Sequence, residues 1–245
     1  MGKDPKRGRE TAVPDAKAVC ELLRARYRDW DHHNRSNPLD ELLFILCSTR
    51  TQENGYRGTY SALKQEFPTF MALAEAPARY IAKPLKAGGL QRQKSKAIRM
   101  ICDRIVERFG RLSLAPLREM SDEACEDFLV SLPLVGKKVA RCVMMYSLGR
   151  AVFPVDTHCW RIARRLGWVR PTQKDGHCSD RDMDRLQEKI PGAMRFSLHV
   201  NFLSLGREFC IGQNPRCGEC PLDAVCPRIG VGSARYGPPR RRVQA

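Results

Sequence analysis

The amino-acid sequence predicts an all-α fold, on three observations. Apolar residues recur at intervals of three and four over long stretches, as one buried face of a helix requires. Almost no stretch shows the apolar–polar alternation of a half-buried strand, and no internal repeat is present. Short joints bearing Pro or Gly separate the periodic stretches, which suits helices packed as close neighbours.

The helical pattern runs through "DAKAVCELLRARYRDW", "PLDELLFILCSTR" and "YSALKQEFPTFMALA". It continues through "SKAIRMICDRIVERFG", where Gly110 is placed as a C-cap. "SDEACEDFLVSL" opens on Ser121, a capping residue, with two acids in the first turn to complement the helix dipole, and Pro133 closes it. Residues 1–14 and 229–245 depart from this body, being rich in Pro, Gly and charge, and are expected to be disordered arms.

Forty-three Lys and Arg against twenty-seven Asp and Glu leave a formal charge of +16. An excess of that size points to a polyanionic partner, with nucleic acid the default. The stretch "MGKDPKRGRE" has no apolar run, so no secretory leader is expected, and Lys6 breaks the myristoylation pattern. The apolar run "LLFILC" is far too short to span a bilayer. The expectation is a soluble protein without membrane association, cytoplasmic (nucleoid-associated in a bacterium) or nuclear, with its thiols reduced.

Of eleven cysteines, seven are scattered through apolar or helical settings and read as small buried side chains. The other four, Cys210, Cys217, Cys220 and Cys226, fall within "CIGQNPRCGECPLDAVCPR" at the spacing C-x6-C-x2-C-x5-C. Thiolates are soft ligands, and both an iron–sulfur cluster and zinc suit them. A single short loop, turned by Pro215 and Pro221, wraps a cluster more naturally than the two separated knuckles of a structural zinc site. This loop, near the end of a basic helical chain, resembles the [4Fe–4S] loop of the endonuclease III family of helix-hairpin-helix DNA glycosylases.

"DFLVSLPLVGKKVARCVMMYSL" reads as helix, tight turn, helix, with Leu132-Pro133 ending the first helix and Gly136 making the turn. Backbone N–H groups at the start of the second helix would cradle a phosphate, so Leu134, Val135, Gly136 and Lys137 are DNA-binding candidates. Lys138 occupies the position of the family's catalytic lysine. Its attack on a sugar carbon needs a neutral amine, and the positive helix end and neighbouring Lys137 both disfavour the charged form. The bland reading, in which both lysines only hold phosphate, stands beside it. One departure is visible: Leu134 replaces the first glycine of the usual Leu-Pro-Gly-x-Gly hairpin. A side chain there must avoid positive φ or carry strain.

In "VFPVDTHCWRIARRLGW", Asp156 sits where a helix N-cap belongs. "VDTH" after a lysine-bearing hairpin also resembles the family's catalytic aspartate. A capping carboxylate stays ionised, as stabilising an oxocarbenium-like sugar or deprotonating an amine requires. His158 reads as a satisfied histidine at a helix start. Two further loops resemble those with which the family fills the gap left by an extruded nucleotide. In "LCSTRTQE", Arg50 stands at the position of a gap-filling glutamine. In "GGLQRQKSKAI", Leu90 matches the apolar wedge, Gln91 flanks it, and Lys94 and Lys96 are expected to touch phosphate.

The resemblance covers residues 17 to 228 and implies an all-α, two-domain helix-hairpin-helix DNA glycosylase fold. A helical barrel would span 31–150, and an iron–sulfur cluster domain would combine 15–30 with 151–228. The implied activity is a bifunctional DNA glycosylase and abasic-site lyase, acting as a monomer on double-stranded DNA with oxidised pyrimidines. Arg216 and Arg228 on the cysteine loop would assist docking. The alternatives are a monofunctional adenine or mismatch-thymine glycosylase, which Lys138 argues against, and a non-catalytic DNA-binding relative.

Overall fold

The computed structural model describes residues 12–49, 51, 53–170 and 177–231. Among them every helix and turn belongs to one of two compact units, Met1–His32 with Ala151–Ala245, and His33–Arg150. Helix α1 (Ala16–Tyr27) begins the first unit. The second holds α2 (Pro38–Ser48), α3 (Glu53–Glu66), α4 (Phe70–Glu75), α5 (Ala78–Ile81), α6 (Gln91–Phe109), α7 (Asp122–Ser131) and α8 (Lys137–Leu148). The chain then returns to the first unit with α9 (Thr157–Arg165), α10 (Asp180–Lys189) and α11 (Gly192–Glu208). No described helix is long and apolar enough to cross a membrane.

The second unit is built around α2. Its sequence is apolar on nearly every face, so it must be wrapped on all sides. Helices α3 and α8 pack against it, and Leu42 and Leu43 are fully buried. Asn37 starts the helix by accepting from the N–H groups of Leu39 and Asp40, and Pro38 occupies a first-turn position where no N–H is needed. The Asp40 carboxylate then accepts from Tyr60 Oη at 2.7 Å and Lys64 Nζ at 3.1 Å, fixing α3 to α2. The periodic stretch 60–74 is two helices rather than one. Pro68 cannot continue a helix, so α3 stops at Glu66, and Thr69 caps α4 through the Ala72 N–H.

Gly110 ends α6 at φ 68°. Ser121 Oγ accepts from the Ala124 N–H at the start of α7, with Asp122 and Glu123 in the first turn. Both follow the sequence expectation because capping is a contact between near neighbours in the chain.

In the first unit α1 and α9 pack against α11, around a core that includes Val19, Leu23, Phe153, Leu198 and Phe202. Gly206 of α11 admits α9 closely, since a Cβ there would lie 2.4 Å from His158 Nδ1. Asp29, just past α1, accepts from Ser197 Oγ at 2.5 Å and Asn201 Nδ2 at 2.8 Å, so a buried polar knot ties the end of α1 to α11. The inner ends of both expected arms, 1–14 and 229–245, are tied to the helical body. The Pro14 carbonyl accepts from Trp168 Nε1 at 2.7 Å, and the Ile229 N–H donates to the Arg165 carbonyl at 3.0 Å. The rest of both segments lies outside the described residues.

Candidate functional site

Between α7 and α8 the Leu132 carbonyl accepts from the Val135 N–H at 3.2 Å, closing a tight turn. The residue in the left-handed region is Leu134, at φ 62°, and not Gly136. Positive φ brings Cβ against the carbonyl and costs a non-glycine residue about 1–2 kcal/mol. The side chain of Leu134 points outward, 48 % exposed. Gly136 adopts an extended φ of −91° that any residue can reach, and an added Cβ would meet nothing within 4 Å. Its value is therefore not conformational. It leaves the start of α8 bare, with no side chain capping the first N–H groups, which is what an approaching phosphate needs.

Two hairpin residues do less than the sequence reading assigns them. Val135 is 5 % exposed and its N–H is used inside the turn, so that N–H is not turned toward a phosphate. Lys137 Nζ lies 3.5 Å from Glu126 Oε1, and the same carboxylate accepts from Arg141 Nε at 2.6 Å. Its charge is thus shared with Glu126 rather than left bare. Lys138 itself is the second residue of α8 and half-buried. Helix α8 packs on α2, whose Glu41 is fully buried and accepts from Asn34 Nδ2 at 2.5 Å and the Arg35 N–H at 2.6 Å. Burial pushes the Glu41 carboxyl above its usual range despite these bonds, and the Lys138 charge is among those pulling it back.

Leu90 caps α6 from the left-handed region, at φ 52°, directly after Gly89 at φ 66°. It is 37 % exposed with Gln91 half-buried beside it. Arg50 lies outside the described residues. Lys94 is a correction: it is 2 % exposed and cannot reach phosphate. Its Nζ donates to the Cys47 carbonyl, Thr51 Oγ1 and the Gly88 carbonyl, each at 3.0 Å. The sequence held the signal. Lys94 falls on the same helical stripe as Ile98, Ile101 and Ile105, all fully buried, whereas Lys96 falls on the exposed side.

In the other unit, Asp156 is the N-cap of α9, and its Oδ1 accepts from the Cys159 N–H at 2.7 Å. His158 Nδ1 lies 3.0 Å from Arg161 Nη2, and burial pulls the imidazole below its ordinary value. It is a packed, satisfied histidine, as its place at a helix start suggests. Arg161 Nε also donates to the Cys210 carbonyl at 2.7 Å, which links α9 to the cysteine loop.

Cys210, Cys217, Cys220 and Cys226 line one cavity, with Arg165, Phe209, Asp223 and Arg228. Arg165 Nη1 donates to Cys210 Sγ at 3.1 Å, a contact that no local pattern in the sequence announces. Burial, reinforced by the neighbouring thiols, pushes Cys220 up to about 12 and Cys226 up to about 11. Thiols raised in this way become thiolates readily only around a cationic centre. Among the described residues no three potential ligands converge on a single ion. Four thiols facing one cavity from a single short loop are a soft-donor set that suits an iron–sulfur cluster or zinc. Arg216 and Arg228, expected to assist docking, are paired with Glu219 and Asp223 on the same loop.

A tight turn feeding an uncapped helix, a lysine in that helix's first turn, a carboxylate-capped helix and a four-thiol loop define a helix-hairpin-helix protein of DNA repair. The chain belongs to the HhH-GPD superfamily of base excision DNA repair proteins, whose family model matches residues 44–187, and it is a DNA glycosylase of that family. It is similar to a provisionally named DNA glycosylase of Arabidopsis thaliana, 31 % identical over 91 % of this chain and 71 % of the plant protein. Endonuclease III of Bacillus subtilis is 30 % identical over 85 % of this chain and 84 % of its own. Among solved structures, a trapped endonuclease III–DNA covalent intermediate shares the fold, with a TM-score of 0.73, 22 % identity and coverage of 87 % and 96 % of the two chains.

Proposed function

We propose that the protein is a bifunctional DNA glycosylase and abasic-site lyase acting on oxidised pyrimidines in double-stranded DNA. The observation that carries this reading is Lys138, an amine in the first turn of an uncapped helix directly behind the hairpin. In this reading the neutral Lys138 Nζ attacks C1′ of the damaged nucleotide, the glycosidic bond breaks, and the base departs with its electron pair. Asp156 takes the proton released by the attacking amine. Opening of the sugar leaves an iminium at C1′, and loss of a C2′ proton then expels the 3′ phosphate by β-elimination. Water releases the lysine. The solved relative trapped as a covalent intermediate with DNA supports a nucleophile of this kind.

Cys210, Cys217, Cys220 and Cys226 would hold a [4Fe–4S] cluster, which when bound cross-links the loop from within. Arg165 and Arg161 hold the start of the loop, at Cys210, against α9. The bare N-terminus of α8 grips a phosphate, and Leu90 enters the duplex as a nucleotide leaves it.

Borohydride trapping on two duplexes, one abasic and one carrying thymine glycol, tests the reading with Lys138→Ala beside the wild type. A covalent complex on both duplexes, lost in the variant, is expected. Trapping on the abasic duplex alone would remove thymine glycol as substrate and keep the lyase. Base release without trapping would make the enzyme monofunctional. Iron and sulfide analysis of the same preparation is expected to give about four of each per chain; an iron-free, colourless protein would overturn the cluster.

A further inference from the structure

We propose that Lys94 is a positioning residue that sets Leu90 for entry into DNA, by locking the turn before α6 to the chain that follows α2. The inference rests on the DNA-opening role of Leu90 in the reading above. Lys94 is among the largest fully buried side chains of the protein, and a buried lysine that only filled space would be better replaced by Met or Leu. An ammonium has three N–H donors, and each finds one acceptor at 3.0 Å: the Cys47 carbonyl, Thr51 Oγ1 and the Gly88 carbonyl. Two of these acceptors lie at and just past the end of α2, and the third lies two residues before Leu90.

The Gly88 carbonyl is gripped twice, because Thr51 Oγ1 also donates to it, at 2.5 Å. From the other side Gly88 rests on Thr59 of α3, where a Cβ would come within 2.9 Å of the threonine side chain. The chain leaving this anchor passes through two residues at positive φ, Gly89 and Leu90, and only the second has a side chain to make that costly. Past Leu90, its carbonyl accepts from the Lys94 N–H at 2.9 Å. Lys94 therefore holds Leu90 from both ends, by its backbone on one side and its ammonium on the other. Such a left-handed residue persists only where its surroundings over-determine it. Here the result is an apolar side chain 37 % exposed at a helix start.

The test uses the full-length chain and a duplex carrying an abasic analogue with 2-aminopurine on the opposite strand, whose fluorescence reports unstacking. Lys94→Met is expected to lower the fluorescence rise at saturating protein by about five-fold, to the level of Leu90→Ala. Combining the two is expected to lower it no further, because both act through one side chain. Affinity for undamaged duplex is expected to stay within about two-fold, since it depends on phosphate contacts made by the hairpin. A full rise with Lys94→Met, or a loss that adds to that of Leu90→Ala, would overturn the proposal. Should Lys94→Met fail to fold, Thr51→Val removes one acceptor and one grip on Gly88 and is expected to lower the rise, with Thr51→Ser restoring it. Equal signals from those two would also overturn it. A wild type that unstacks nothing would overturn the role of Leu90 itself, an outcome separate from a variant that unstacks as well as the wild type.

Discussion

The reshaped hairpin makes different demands at two positions two residues apart, and stability measurements can read both. Leu134→Gly and Leu134→Ala delete the same outward side chain, so the lost burial largely cancels between them. Alanine keeps the left-handed penalty at φ 62°, about 1–2 kcal/mol. Glycine removes it but gives back about 0.5–1 kcal/mol through its freer unfolded chain. The glycine variant is therefore expected to be the more stable by about 0.5–1 kcal/mol. At Gly136 no such relief is at stake. The backbone is extended at φ −91° and nothing lies within 4 Å of an added Cβ, but Gly136 is the N-cap of α8, where Ala is disfavoured, so the gain from a stiffer unfolded chain is offset and Gly136→Ala is expected to hold stability within about 0.5 kcal/mol. The same methyl would stand where a phosphate approaches, so the affinity of Gly136→Ala for duplex DNA is expected to fall while its stability holds. Urea and thermal denaturation followed by circular dichroism suffice, since about 1 kcal/mol moves the midpoint of a chain this long by ~2–4 °C. If Leu134→Ala proves at least as stable as Leu134→Gly, Leu134 is not held left-handed and the account of the turn fails.

Two further outcomes follow from the first unit. Asp156→Asn keeps an acceptor for the Cys159 N–H and is expected to hold wild-type stability, whereas Asp156→Ala loses the cap and about 1 kcal/mol. Both are expected to lose borohydride trapping; an active Asp156→Asn would reduce the residue to a cap. His158 has its proton affinity lowered by burial, so in acid the unfolded chain binds the proton more readily. Its contribution to stability is whole above the ordinary histidine pKa of about 6.5 and is lost as the pH falls from there through the folded value. His158→Gln is expected to flatten the stability–pH profile in that window, and unchanged slopes would refute the burial argument.

Much of the architecture is legible without coordinates. Ser121, Gly110 and Asp156 cap helices as their positions suggest, because a cap bonds groups two to four residues away. The four-thiol loop is equally local: its cysteines lie within seventeen residues and line one cavity. The cations are another matter. Lys94, Lys96 and Lys137 look alike as charges in sequence, yet one is interior, one is exposed and one is paired with Glu126.

The sequence by itself determined the helices, most of their ends, the thiol loop and the position of Lys138 behind a hairpin. These depend on periodicity and on bonds between near neighbours. Only the tertiary structure decided that Leu134 takes the left-handed turn in place of a glycine and that Lys94 faces inward. Desolvation and hydrogen-bond acceptors are supplied by segments distant in the chain. For Lys94 they come from the end of α2 and the Gly88 turn together, and an ammonium withdrawn from water stays where its three acceptors are.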